Sequence, residues 1–177
     1  TPLFLKEREP GLREAPLIVV ETNIPRETID WLTGLHPGVR LFLDPVSAPL
    51  AGKVTGLLGR FHTLKLNRQE AEALTGRRIQ TEKDLEQAAG DLLRQGLERV
   101  FITLGPEGAY FQDRQISGRI APPAVSVVNT TGAGDAFMAG LVLGSLEEKP
   151  AEACARLGIA CAAVALQHEN AVHPDIK

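Results

Sequence analysis

Cysteine is scarce in this sequence, and the scarcity excludes two kinds of stabilisation. Cys154 and Cys161 are the only cysteines among 177 residues, too few for a disulfide framework or a zinc site built on thiolates. Long apolar runs are also missing, since none approaches the roughly 20 residues that span a bilayer. Residues 1–16 are charged throughout and lack the apolar segment of a signal peptide. We therefore expect a cytoplasmic protein with no membrane partner.

An excess of charge of one sign is absent as well. The chain has 19 Lys and Arg against 22 Asp and Glu, a formal net charge of −3, so it carries no electrostatic footprint for nucleic acid. A small anionic ligand is not excluded, because local backbone dipoles act on it more strongly than net charge does. Hydrophobic residues at 44% and charged residues at 23% exclude a disordered tail and are typical of one globular domain.

Short apolar runs alternate with helical patterns along the chain. Continuous apolar runs are typical of strands in a parallel sheet that helices cover on both faces. The predicted strands are Leu17–Val20, Val39–Leu43, Phe61–Leu66, Val100–Leu104 and Val125–Val128, with a hairpin over 108–120. The predicted helices cover 26–35, 50–58, 68–74, the segment from Thr81 to Gly96, the segment from Asp135 to Leu146, and 151–166. We therefore predict an α/β fold: a mostly parallel sheet in a three-layer α/β/α arrangement.

The segment from Thr130 to Asp135 is chemically the most informative. A predicted strand ends there, small residues turn the backbone, and a helix begins. Gly132, Ala133 and Gly134 leave successive N–H groups unobstructed at the helix N-terminus, an arrangement that attracts phosphate. Asp135 has two interpretations. It complements the helix dipole, or it removes a proton from a hydroxyl that attacks a phosphoryl group.

Residues 129–137, Asn-Thr-Thr-Gly-Ala-Gly-Asp-Ala-Phe, resemble the C-terminal signature of the ribokinase-like (phosphofructokinase-B type) carbohydrate kinases. In that family the matching Asp is the catalytic base, and the Gly-Ala-Gly amides stabilise charge on the transferred phosphoryl group. The resemblance implies that Asp135 is the base and that Gly132, Ala133 and Gly134 form the anion hole. It also implies a nucleotide contact from Thr131, with ATP and Mg²⁺ as cofactors.

Residues 67–70, Asn-Arg-Gln-Glu, are similar to the family's Asn-x-x-Glu motif. The similarity implies that Asn67 contacts the nucleotide phosphates and that Glu70 helps to bind magnesium. A helix cap explains the same pair, because Asn67 precedes a predicted helix and Glu70 would complete the cap. Lys53 and Lys65 could reach a phosphate, but we expect both to be solvated surface side chains.

Residues 103–108, Thr-Leu-Gly-Pro-Glu-Gly, resemble the family's Thr-x-Gly-x-x-Gly nucleotide-binding turn. The resemblance implies ATP contacts from Thr103, Gly105 and Gly108, whereas a tight turn that needs positive φ angles is the alternative. His168 and Asn170 fall where family members line the adenine pocket after the last helix, and a position on a surface loop is the alternative for them.

Within the family, residues 44–47 with Lys53, 62–65 and 169–174 are most similar to pseudouridine kinases. That similarity implies a sugar or nucleoside acceptor, with the 5′-hydroxyl of pseudouridine as the expected site of transfer. Asn129 stands where most sugar kinases of the family carry the Asp that helps to build a monovalent-cation loop. Asn129 is therefore a candidate metal ligand for K⁺ that offers a carbonyl oxygen and no charge.

The resemblance covers all of this chain but only about the C-terminal half of the family's domain. We therefore expect residues 1–177 to be the C-terminal portion of one kinase domain, inactive without the N-terminal half and its lid. An exposed sheet edge would favour self-association, so a homodimer is a further expectation. Two alternatives remain: a non-catalytic nucleotide-binding or interaction module, and another sugar kinase of the same family. The presence of Asp135 favours an enzyme.

Overall fold

The computed structural model describes residues 2–35 and 38–169. The strands are β1 (Leu17–Glu21), β2 (Arg40–Asp44), β3 (Thr63–Asn67), β4 (Arg99–Thr103), β5 (Ala109–Asp113) and β6 (Ser117–Ile120). The helices are α1 (Pro2–Lys6), α2 (Glu9–Glu14), α3 (Arg26–Thr33), α4 (Ala48–Ala51), α5 (Arg68–Thr75), α6 (Glu82–Leu93), α7 (Ala133–Leu146) and α8 (Ala151–Ala165). Short 3₁₀ turns cover Gly52–Val54, Leu58–Arg60 and Gly105–Glu107. No helix in these described ranges has the length and apolar character that crossing a membrane requires.

The strands form a six-stranded sheet in the order β1-β2-β3-β4-β5-β6. β1 and β2 pair in parallel, with Leu17 beside Arg40, and β2 and β3 pair in parallel, with Phe42 beside Thr63. Residues 114–116 alone join β5 to β6, too short a connection for a parallel crossover, so these two strands are antiparallel. The predicted α/β class with a mostly parallel sheet is confirmed.

The chain divides into two compact units. The first contains residues 1–102 and 112–115, and the second contains residues 103–111 and 116–177. In the first unit Leu43, Leu64 and Ile102 on successive strands are fully buried, which explains the uninterrupted apolar runs in the middle of β2 and β4. The first unit also contains the capping box of α6, in which the Thr81 side chain accepts from the Asp84 N–H and Asp84 accepts from the Thr81 N–H.

Close helix packing characterises the second unit, where α7 and α8 lie backbone against backbone. A Cβ atom on Gly140 would lie 2.6 Å from backbone atoms of Leu157 and Gly158. A Cβ atom on Gly158 would in turn lie 2.9 Å from the ring of Phe137, which is itself buried. The two glycines therefore allow α7 to approach α8 at a distance that any larger side chain would prevent.

Two predicted elements are wrong, and two helices were not predicted. The segment 50–58 is not one helix, since it contains only α4, a 3₁₀ turn and the start of another, and Gly56 has a φ of +78° that no α-helix accommodates. Val125–Val128 is not a strand: Val127 and Val128 are exposed, and no strand covers them. Helices α1 and α2 precede β1, where the charged sequence had suggested no element.

Candidate active site

Helix α7 begins without a side-chain cap. Its N-cap residue is Gly132, in the left-handed region with φ +83°, and no side chain accepts a hydrogen bond from the first turn. The Ala136 N–H donates to the Gly132 carbonyl at 2.9 Å, and the Ala133 N–H reaches the Thr130 carbonyl only at 3.4 Å. Within the described part of the chain, the N–H groups of Gly134 and Asp135 have no acceptor. The helix start therefore offers backbone donors and its dipole to an anion.

Asp135 is the third residue of α7 and its side chain is exposed. It forms no ion pair or side-chain hydrogen bond with any residue in the described ranges. The carboxylate is thus not committed to a structural contact. The dipole interpretation and the base interpretation are both compatible with this position, and the carboxylate is accessible to a ligand as the second requires.

Asn129 anchors the turn that precedes α7. Its Oδ1 accepts from the Thr131 N–H at 2.9 Å, and its Nδ2 donates to the Glu169 carbonyl at 2.8 Å. The N–H groups of Val128 and Asn129 both donate to the Leu166 carbonyl, at 2.8 and 3.3 Å. The turn that precedes α7 is consequently tied by three hydrogen bonds to Leu166 and Glu169, which follow α8.

The two glycines of the Thr103–Gly108 turn differ in what surrounds them. Thr103 ends β4, and the Leu104 N–H donates to the Gly108 carbonyl at 2.8 Å, which closes the turn. A Cβ atom on Gly108 would lie 2.0 Å from the Ile120 carbonyl oxygen, whereas one on Gly105 would meet nothing within 4 Å. Gly108 is therefore required by packing. Gly105, with φ +60°, leaves open space beside the backbone that a ligand can approach closely.

His168 lies just after α8 and is half-buried, with its N–H donating to the Ala165 carbonyl at 3.3 Å. It shares the second unit with Thr131, Asp135 and the Thr103–Gly108 turn. Asn170, the other predicted adenine-pocket residue, lies outside the described residues, as does most of the 169–174 segment.

In the first unit, Asn67 and Glu70 form the capping box of α5. The Asn67 side chain accepts from the Glu70 N–H at 2.9 Å, and Glu70 accepts from the Asn67 backbone N–H at 2.8 Å and from its Nδ2 at 2.7 Å. Glu70 is only 2% exposed. Burial raises the pKa of its carboxyl, and the hydrogen bond from the Asn67 backbone and the charge of Lys65 act in the opposite direction. The cap interpretation is confirmed, and it holds the carboxylate in a fixed position.

Lys65 is the clearest correction to the sequence analysis, because it is not a surface lysine. It is 7% exposed and its Nζ donates to Oδ2 of the equally buried Asp44 at 2.7 Å. The Asp44 Oδ1 accepts from the Val46 N–H at 3.0 Å. The sequence did contain a signal: a Lys between Leu64 and Leu66 in a predicted buried strand, with an acid at the end of the neighbouring strand.

A strained turn follows Asp44. Val46 has a φ of +63°, which is rare for a β-branched residue, and the Ser47 N–H donates to the Pro45 carbonyl at 2.6 Å across it. The Thr22 hydroxyl donates to the same carbonyl. Lys53, also predicted to be a solvated side chain, is half-buried, with its Nζ donating to the carbonyls of Thr22 and Ile24 at 2.8 and 3.3 Å. These contacts brace the carboxyl ends of β1 and β2.

The donor set in the first unit fits a magnesium ion of the kind that nucleotides carry. In the described ranges no three His, Cys, Asp or Glu side chains cluster as a metal cage. Mg²⁺ with a nucleotide does not need one, because it keeps waters and takes one or two carboxylates plus phosphate oxygens. Glu70, whose pKa is raised by burial, offers a carboxylate whose charge a cation would compensate.

An open, glycine-flanked helix start with an accessible acid in its first turn is an arrangement that attracts phosphate groups. The chain matches the pfkB family of carbohydrate kinases over residues 34–177. It belongs to that family.

Relatives with known names match most of the chain. It is 36% identical to pseudouridine kinase of Escherichia coli K12 over 174 residues, which are 98% of this chain and 56% of that protein. It is also 36% identical to 1-phosphofructokinase of the same organism over 146 residues, 82% of this chain and 46% of that protein. The chain thus spans about half the length of the relatives it matches.

Solved structures match as well. A crystal structure described as that of a sugar kinase from Clostridium perfringens has a TM-score of 0.92 and 34% identity, and the match covers 98% of this chain and 55% of that one. Ribokinase from Thermotoga maritima shares the fold, with a TM-score of 0.77 at 24% identity over 92% of this chain and 54% of that one. The predicted family is confirmed by these comparisons.

Proposed function

We propose that this chain carries the nucleotide-binding and catalytic-base part of a kinase that transfers the γ-phosphoryl group of ATP to a sugar or nucleoside hydroxyl. The observation that carries the proposal is the start of α7. Gly132 provides no cap, the N–H groups of Gly134 and Asp135 have no acceptor in the described ranges, and Asp135 is exposed beside them. Family membership supports the assignment of those groups to phosphoryl transfer.

In this proposal Asp135 accepts the proton of the acceptor hydroxyl as that oxygen attacks. The amides of Gly132, Ala133 and Gly134 donate to the oxygens of the transferred group, where charge is concentrated during transfer. Asn67 contacts the nucleotide phosphates, and Glu70 would hold the Mg²⁺ ion that accompanies them. Bound Mg²⁺ would neutralise phosphate charge.

We further propose that Thr103, Gly105, Gly108, Thr131, His168 and Asn170 contact the nucleotide. The open space beside Gly105 supports a close backbone approach. Ligands of open α/β sheets bind at the carboxyl ends of strands, and Gly105 follows the carboxyl end of β4. A crystal soaked with a nonhydrolysable ATP analogue tests the assignment: density beside Gly105 and the start of α7 supports it, and density at the amino ends of the strands contradicts it.

Pseudouridine is the acceptor we favour, at its 5′-hydroxyl. The support is the match to pseudouridine kinase, which covers 98% of the chain, whereas the match to 1-phosphofructokinase, at the same identity, covers 82%. The alternative is another sugar kinase of the family. Rates with pseudouridine, uridine, ribose and a fructose phosphate, measured on the chain extended to the length of its relatives, decide between them.

We also propose that turnover needs residues beyond these 177, because acceptor and phosphoryl group must be held in line and the relatives are about twice as long. Parallel assays of the 177-residue chain and of the extended protein test this, and equal turnover would contradict it. If ATP with Mg²⁺ raises the melting temperature but the extended protein shows no turnover with any acceptor, the non-catalytic nucleotide-binding alternative holds. Sedimentation of both proteins tests the expected homodimer.

A further inference from the structure

The side chain of Asn129 bridges two segments of the second unit, and its amide orientation is fixed by both. The oxygen accepts from the Thr131 N–H at 2.9 Å and the nitrogen donates to the Glu169 carbonyl at 2.8 Å. A flipped amide would set a donor against a donor and an oxygen against an oxygen. Half-buried Asn129 is therefore a directional link that only a group with one acceptor end and one donor end can form.

An aspartate at position 129 could not make the same link. One carboxylate oxygen would still accept from the Thr131 N–H, but the other would face the Glu169 carbonyl oxygen. Two oxygens at hydrogen-bond distance repel each other unless a cation or a proton lies between them. A monovalent cation at that point would be held by a carboxylate oxygen and a backbone carbonyl, both of which are oxygen ligands.

The donor set of this chain therefore does not fit K⁺ at Asn129, contrary to the expectation from sequence. The Nδ2 hydrogen already points at the Glu169 carbonyl, where the ion would have to lie. A neutral side chain also brings no negative charge near the open N–H groups of α7, so no counter-cation is needed to make that position attractive to phosphate.

We propose that the Asn129 amide takes the place of a monovalent cation and holds the turn before α7 without K⁺. Asn129 acts as a positioning residue, because it fixes Thr131 and thereby the backbone of residues 131–134. The link to phosphoryl transfer rests on the function proposed above, whereas the independence of the turn from K⁺ does not.

The first test compares the unfolding midpoint of the 177-residue chain in KCl, NaCl and tetramethylammonium chloride at equal ionic strength. The expected result is one midpoint in all three salts for the wild type. The Asn129→Asp variant is expected to have a lower midpoint in tetramethylammonium chloride and to recover part of the loss in KCl. A wild-type chain that K⁺ specifically stabilises, or an Asn129→Asp variant with no response to K⁺, would overturn the proposal.

Asn23→Asp is the charge-matched control. The Asn23 side chain also donates an amide hydrogen, to the exposed Glu21 carboxylate at 2.8 Å, but it lies in the first unit. The Asn23→Asp variant changes the net charge by the same amount as Asn129→Asp, so any salt response that the two variants share can be subtracted. A K⁺-specific recovery of the same size in Asn23→Asp would overturn the assignment to position 129.

Amide NMR provides a readout at the turn itself. Titration of the wild type with KCl is expected to leave the backbone resonances of residues 131–134 where they are in NaCl, and K⁺-specific shifts there would contradict the proposal. These measurements contain neither ATP nor acceptor. A failure of the proposed function would appear as absent turnover with the salt results unchanged, and a failure of this inference would appear as a K⁺ response whatever the turnover.

Discussion

Helices α5 and α7 share the position of an acidic residue near their start, but that residue has a different environment in each helix. Each has an acidic residue three positions after its N-cap residue, Glu70 after Asn67 and Asp135 after Gly132. In α5 the acid is buried and turned back onto the cap, with both oxygens hydrogen-bonded to Asn67. In α7 the acid is exposed and forms no side-chain hydrogen bond or ion pair with a described residue.

The identity of the N-cap residue explains the difference. The Asn67 side chain supplies an acceptor for the first turn and a donor for the acid, so the start of α5 is satisfied internally. Gly132 has no side chain and adopts a φ of +83°, so the donors at the start of α7 remain available. Absence of a cap alone does not mark a ligand site, since α3 and α8 follow prolines and also lack side-chain caps. At α7 it coincides with the glycine turn and the accessible Asp135.

The largest expected effect comes from removing the accessible acid. Asp135→Asn in the extended protein is expected to lower turnover by about 10²–10⁴-fold, the usual contribution of a general base, with little change in ATP affinity. Steady-state rates and ATP titration measure the two quantities. Asp84→Asn is the matched control, because Asp84 occupies the same third position in the closed start of α6. Near-normal turnover in Asp135→Asn would reduce this residue to a complement of the helix dipole.

The next largest effect is on stability, and it comes from breaking the buried Asp44–Lys65 ion pair, which lies just before the capped start of α5. Lys65→Met leaves the buried Asp44 carboxylate without its cation, which destabilises by about 3–5 kcal/mol. Chemical denaturation measures the loss. The double variant Asp44→Asn/Lys65→Met removes both charges and is expected to recover part of it. If Lys65→Met unfolds at the wild-type denaturant concentration, the pair is not buried in solution as it is here.

The next effect, again on stability, comes from the close packing of α7 on α8. Gly140→Ala places a methyl group against the backbone of Leu157 and Gly158, and overpacking of this kind costs about 1–3 kcal/mol. Gly90→Ala in α6 is the control, because a Cβ atom there has ordinary contacts, the nearest at 3.5 Å from the Arg94 side chain. That variant is expected to be stabilised by up to about 1 kcal/mol through helix propensity. Equal midpoints for the two variants would contradict the close approach of α7 and α8.

Two cap deletions separate capping from ligand contact. Asn67→Ala and Thr81→Ala each remove the N-cap acceptor of a capping box, and each is expected to cost about 1 kcal/mol. Only Asn67→Ala is expected to weaken binding of ATP with Mg²⁺, because only α5 carries a proposed nucleotide contact. Calorimetric titration of both variants distinguishes the cases. Equal nucleotide affinities would leave Asn67 as a cap alone.

The smallest effect is a difference in the response of the two capping boxes to pH. Burial raises the pKa of Glu70, so its stabilising contribution is present in acid and is lost as pH rises through its folded pKa. Hydrogen bonds from the Thr81 side chain and from the Gln80 and Thr81 backbones lower the pKa of Asp84, so its contribution is lost as pH falls through its folded pKa. Carboxyl-carbon NMR measures both, and shifts of the two pKa values in the same direction would contradict the comparison. Thr81→Ala is expected to move the Asp84 pKa alone.

The sequence predicted the parts of the site that depend on local geometry. The cap of α5 follows from Asn67 and Glu70, which are three positions apart. The glycine turn before α7 and the Asp in its first turn follow from the short segment Thr130–Asp135. The Asp44–Lys65 pair did not follow, because it joins neighbouring strands whose register is set by the packing of the sheet. The prediction of a strand over Val125–Val128 failed for a related reason. A short apolar run indicates burial only if a neighbour is available to cover it, and Val127 and Val128 remain exposed.

The contact of α7 with α8 has a consequence for the order in which this chain folds. Gly140 and Gly158 meet across two helices that are consecutive in sequence and joined by a short connection. Contacts of this kind close small loops, so they form faster than the pairing of distant strands. We expect the hairpin of α7 and α8 to assemble early. The start of α7 and the end of α8 would then lie side by side before the distant strands have paired. Pulse-labelled hydrogen exchange would show this as early protection of amides around Gly140 and Gly158.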